Sequence, residues 1–126
     1  MAPELDQAFD RGTLPTLRAK VLFQACRAGL SESRAADVVL AVHELAANAI
    51  RHGAGAGRLR MWNRTRELTC QVDDGEPPSG TTASPASPSL PSRPGHGLWV
   101  VRQVADRVHV TSGPSGTRVK AVFSLG

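Results

Sequence analysis

Hydrophobic positions recur at helical spacing in three segments of the chain and alternate with polar ones in four others. Leu14 to Ala28 reads as a helix, with Pro15 suited to its first turn and Gly29 placed to stop it. Ser31 is a good N-cap for a second helix reaching about His52, whose apolar positions Val38, Val42, Leu45 and Ala49 recur at steps of four and three. From Gly97 a third helical pattern runs through Leu98, Val101 and Val104 to about Asp106. Strict alternation marks Arg58–Asn63 and Glu67–Asp73 as strands, and Arg107–Thr111 and Thr117–Leu125 close the chain as two more. Residues 1–13 read as an extended or irregular lead-in, and Gly53–Gly57 as a flexible connector.

Between the first and second strand pairs the composition changes. Residues 77–95 hold six of the nine prolines and five serines, a long loop with little capacity for a core. Helices followed by strands, with that loop before the last helix, predict an α+β fold: a two-layer α/β sandwich, its sheet mixed but mostly antiparallel, with helices on one face. At 126 residues and 40% hydrophobic composition the chain is expected to form one domain spanning 1–126. No stretch approaches the ~20 apolar residues of a membrane helix, and the polar, acidic start is unlike a secretory signal. A cytoplasmic domain with no membrane partner is expected.

Charge widens the field before it narrows it. Fifteen basic residues against eleven acidic ones give a net charge of +4, and all but Lys20 and Lys120 of the bases are Arg. That composition suits nucleic acid, a nucleotide or an acidic protein partner alike. Cys26 and Cys70 are far apart, with no ligand spacing for a structural zinc, so both are expected to be buried, reduced thiols.

Four short segments carry candidate chemistry. Glu44 and Asn48 lie one helical turn apart and share a face, with Arg51 and His52 beside them and the apolar arc roughly opposite. The carboxylate suits proton transfer and the amide oxygen suits a hard cation such as Mg2+, although a plain polar helix face would show the same residues. Asp73-Asp74-Gly75 at a strand end offers a carboxylate to an exocyclic amine, or is simply an acidic turn. Gly95-His96-Gly97-Leu98 at a helix start lets a phosphate approach backbone N–H groups, or supplies a flexible loop. Gly116-Thr117 opens the last strand, where a hairpin turn explains it equally well.

In this order the four segments, led by the run Glu44-Leu45-Ala46-Ala47-Asn48-Ala49-Ile50-Arg51-His52, resemble the GHKL ATPase/kinase superfamily with its Bergerat ATP-binding fold. The resemblance covers roughly residues 14–125, and the short form looks like bacterial anti-sigma-factor serine kinases and their actinobacterial relatives. It implies that Glu44 is the catalytic base, Asn48 the Mg2+ ligand, and Asp73 the acceptor of the adenine amino group. Gly75 would lie under the base, and Thr117 would support Asp73. Gly95, His96, Gly97 and Leu98 would present backbone to the phosphates, and residues 76–96 would form an ATP lid. The function it implies is an ATP-binding regulatory protein that phosphorylates a serine of an anti-anti-sigma (STAS-type) partner and antagonises a sigma factor. A homodimer is compatible with it. The superfamily's second adenine-motif glycine is replaced here by Pro77, which motivates an alternative: a catalytically silent module that sequesters a partner, with or without nucleotide.

No GxxxxGK[ST] is present, and Gly53–Gly57 follows a helix where a dinucleotide fingerprint would follow a strand. Strand parity places Leu59, Met61, Leu68, Cys70, Val72, Val108, Val110, Val119, Ala121 and Phe123 toward the helices. It leaves Arg58, Arg60, Trp62, Arg64, Arg107, His109, Arg118 and Lys120 on the other face. That basic face is either solvated or a docking surface; with one Trp it makes a poor stacking platform, so direct nucleic-acid binding is not expected.

Overall fold

The computed structural model describes residues 2–52, 55–74, 97–114 and 116–125. These form, in chain order, β1 (Leu5–Asp10), α1 (Leu14–Arg27), α2 (Glu32–His52), β2 (Ala56–Asn63), β3 (Glu67–Asp74), α3 (Gly97–Val104), β4 (Arg107–Gly113) and β5 (Gly116–Ser124). The strands make one sheet in the order β1-β2-β3-β5-β4, and every pairing is antiparallel. The helices pack on one face, giving the expected two-layer α+β sandwich, although the described sheet has no parallel pair where a mixed one was expected. The predicted lid, residues 76–96 with Pro77, Gly95 and His96, and the adenine-motif Gly75 before it lie outside the described residues.

Local chemistry explains the helix limits. Gly29, at φ 95°, ends α1: its N–H donates to Cys26 O and the Leu30 N–H to Ala25 O, the bond pair of a Schellman turn. Ser31 caps α2 by accepting from the Arg34 N–H at 3.2 Å. Arg34 then joins the two ends of the helical layer. It donates to Val104 O at the end of α3 and to the carboxylates of Asp37 and Asp106. Asp106 in turn accepts from the Ser124 N–H of β5.

α2 is the central helix, touching α1 and α3 on either side and β1, β2, β3 and β5 below. Its Val38, Ala41, Val42, Leu45 and Ala46 meet Leu59, Met61, Leu68, Cys70, Val119, Ala121 and Phe123 of the sheet in one apolar cluster. Each fully buried aliphatic side chain contributes about 1.5–3 kcal/mol relative to exposure.

Two expectations need correction, and a third is met only in part. The lead-in contains a strand: β1 pairs with β2 from Leu5↔Met61 to Asp10↔Ala56. Its LDQAFD carries only Phe9 as a buried side chain and two aspartates outward, so alternation alone is weak there, and the partner strand supplies the order. Val110, opposite the buried Val119, keeps the expected helix-side parity but is 38% exposed, because β4 is an edge strand that the helical layer barely reaches. Cys26 is exposed on α1, and only Cys70 is a buried thiol, which burial pushes up to about 12.

The glycine-rich connector is also more ordered than expected at its end. Gly57 lies within β2, opposite Phe9, and a Cβ there would come within 2.5 Å of the Phe9 ring and 2.6 Å of Asp73 O. The ring fills the space that a side chain would take. Gly57→Ala is therefore expected to lower stability by about 1–3 kcal/mol through overpacking; a denaturant midpoint equal to wild type would contradict it.

Candidate nucleotide site

The pleat of β3 decides which of two adjacent carboxylates faces the helices. Leu68, Cys70 and Val72 are buried beneath the helical layer, so the next residue of that parity is Asp74. Asp74 is half-buried, and its Oδ1 accepts the Thr117 N–H at 2.7 Å. Thr117 shares the parity of the buried Val119, so both residues lie on the helix side. Desolvation raises the Asp74 pKa, and the charge of Asp73 adds to the rise, while the Thr117 N–H opposes it.

Asp73 points the other way. Its Oδ2 accepts from Gln71 Nε2 at 2.9 Å and Arg60 at 3.2 Å, and its Oδ1 accepts from Arg118 Nε at 2.7 Å. Those partners come from β2, β3 and β5 and belong to the sheet face opposite the helices. The adenine role that the resemblance gave to Asp73 does not fit this position, nor does Thr117 support Asp73. The spacing to Gly75 selects Asp73, whereas the pleat selects Asp74. The sequence held that signal: extending the alternation of β3 by one residue turns Asp74 inward.

On α2, Glu44 is half-buried, with no side-chain partner among the described residues. Asn48 is only 8% exposed, so it belongs to the buried side of α2 and is not part of a plain polar face. Its Oδ1 accepts from Arg51 at 3.1 Å, while His52 is exposed at the helix end. In α3, Gly97 is the first helical residue and Leu98 is buried in the core, so Leu98 can offer a ligand its backbone only.

A cleft of about 700 Å³ surrounds the end of the sheet, with Gly57, Asp73, Asp74, Gly116, Thr117 and Arg118 among its walls. The structure thus brings Asp74 and Thr117 together. Glu44 and Asn48 do not line that cleft, and the segment leading from Asp74 to α3 lies outside the described residues.

No cluster of three or more His, Cys, Asp or Glu suited to a metal exists among the described residues. On α2, Asn48 offers one hard amide oxygen, with the Glu44 carboxylate one turn before it. That set fits Mg2+, which binds through few protein oxygens and completes its shell with phosphates and water; it does not fit a caged zinc or calcium ion.

Comparison with known families matches residues 9–123 to the histidine kinase-like ATPase domain. The chain belongs to that family, which implies an ATP-binding domain and accounts for nearly the whole chain. No curated protein gives a significant match. No described helix is long and apolar enough to cross a membrane.

Proposed function

We propose that the chain binds Mg·ATP between α2 and the helix-facing side of β3 and β5, and transfers the γ-phosphoryl group to a serine of a partner protein. The observation that carries this reading is the half-buried Asp74 carboxylate, held by the Thr117 N–H on the same sheet face that α2 covers. An inward carboxylate there suits the exocyclic amine of adenine.

Each residue then has a defined task. Asp74, in place of Asp73, accepts from the adenine amine, and Thr117 fixes its orientation. Asn48 offers its amide oxygen to Mg2+, for which Arg51 must release it. Mg2+, when bound, neutralises charge on the transferring phosphates. Glu44 takes the proton of the serine hydroxyl as its oxygen bonds to the γ-phosphorus and the bond to the β-phosphate oxygen breaks, leaving ADP. Gly75 would lie beneath the base, and the backbone of Gly95, His96, Gly97 and Leu98 would meet the phosphates. The partners in this reading are a STAS-type anti-anti-sigma protein as acceptor and a sigma factor as the sequestered target, in the cytoplasm, with the protein acting alone or as a homodimer.

The Arg51 contact favours a second reading. A guanidinium already satisfies the oxygen that the metal needs, as suits a silent module that regulates a partner by affinity alone.

Glu44→Gln separates the two. With radiolabelled ATP and the cognate acceptor, wild type is expected to label a serine. The variant is expected to keep ATP binding within about threefold and lose labelling by about 10²-fold or more, the usual range for a general base. ATP binding by wild type with no transfer to any serine acceptor would establish the silent module.

A further inference from the structure

The sheet face away from the helices contains a hollow of about 380 Å³ that the nucleotide reading does not use. Its walls include Trp62, Arg64, Glu67, His109, Lys120 and Val122, over a floor that contains Gln71. Cross-strand register explains the grouping: Gln71, Lys120 and His109 stand in one row across β3, β5 and β4, and Trp62, Thr69 and Val122 in the next across β2, β3 and β5. Gln71 is 5% and Val122 6% exposed, although no described helix packs on this face. The result is an apolar and amide base within a rim of Arg64, His109 and Lys120, joined by a Glu67 carboxylate that Arg107 neutralises.

The charge on this face is unevenly satisfied. Asp6 pairs with Arg58 and Arg60, Asp73 with Arg60 and Arg118, and Glu67 with Arg107. Each of these carboxylates is thus paired with arginine, Glu67 at the wall of the hollow itself. Arg64 and Lys120, beside the hollow, have no ionic partner among the described residues. Uncompensated positive charge is therefore concentrated at one place, next to an indole.

We propose that this hollow docks an acidic segment of a partner protein, with carboxylates meeting Lys120 and Arg64 and an apolar side chain seated between Trp62 and Val122. The shape favours peptide over a nucleic-acid strand. A phosphate backbone continuing along the sheet beyond the hollow would meet the carboxylates of Asp6 and Asp73, and one Trp cannot stack successive bases. The surface is on the opposite side of the sheet from Asp74, so the proposal stands whether or not the chain is a kinase.

The test is a titration of the ¹⁵N-labelled full chain with a hexaglutamate peptide carrying one central leucine, followed through the two tryptophan indole resonances. The Trp62 signal is assigned as the one lost in Trp62→Phe. Expected are saturable shifts of the Trp62 indole, and binding weakened more than tenfold by Lys120→Glu but less than twofold by Arg27→Glu. Arg27→Glu makes the same change in net charge on exposed α1. Equal loss in both variants, or shifts confined to residues of the helical layer, overturns the proposal. So does tighter binding of a six-residue oligo-dT than of the peptide. ATP binding measured on Lys120→Glu should stay at the wild-type level, which keeps this outcome distinct from failure of the nucleotide site.

Discussion

Asp74→Asn is expected to weaken adenine-nucleotide binding by about 10–100-fold, the loss that follows when a hydrogen bond to a charged acceptor becomes one to a neutral amide that also presents the wrong donor. Asp73→Asn is expected to leave the affinity within about threefold, because Asp73 faces away and is occupied by Arg60, Gln71 and Arg118. The two variants differ by one position and remove the same charge, so calorimetry on both compares the two faces of the sheet directly. The reverse ranking would return the adenine role to Asp73.

The same pair of variants has a stability signature. Asp74 has its folded pKa raised, first by desolvation and then by Asp73. For a raised acid the favourable contribution exists at low pH, where the group is protonated, and is lost as pH rises through the folded value. At neutral pH the ionised group therefore opposes folding. Asp74→Asn removes the charge and keeps an oxygen for the Thr117 N–H, so the nucleotide-free protein is expected to melt at the same or a higher temperature at pH 7. Weaker binding with undiminished stability marks a residue kept for its ligand. Nucleotide affinity of wild type should fall as pH drops through the raised Asp74 value, a dependence that Asp74→Asn should lack.

Asn48→Ala is expected to reduce Mg·ATP affinity by about 10–100-fold and to remove most of the advantage that Mg2+ gives over chelator-treated ATP, since the hard oxygen on α2 is lost. Arg51, which donates to that oxygen, provides the control. Arg51→Gln leaves Asn48 Oδ1 without its competitor, so the Mg2+ concentration needed for half-maximal ATP binding should fall. Isothermal titrations at fixed ATP and varied Mg2+ read both effects. An unchanged Mg2+ requirement in Asn48→Ala would remove the amide from the metal site.

The helices were legible because their signals are local. Ser31, Gly29 and the recurrence of Val38, Val42 and Leu45 act within a turn or two of themselves, and α1, α2 and α3 fall where those residues place them. The four longer strands were legible for the same reason, since one buried face imposes a period of two. β1 was not, because it has one buried anchor and is ordered by its hydrogen bonds to β2. The residues of the basic outer face are legible in the alternation but its charge is not, because Asp6, Glu67 and Asp73 neutralise several of its arginines only after pairing across strands.

What the chain determines by itself is the layer architecture, the helix limits and the neighbourhood of Glu44 with Asn48, all consequences of short-range periodicity and capping. Tertiary structure decided the orientation of single side chains. It buried Asn48, left Cys26 and Val110 exposed, and turned Asp74 toward the helices and Asp73 away. Neighbouring residues in a strand point to opposite faces, so a motif can locate a carboxylate to within one position, but only the packed sheet fixes which side of the molecule that position serves.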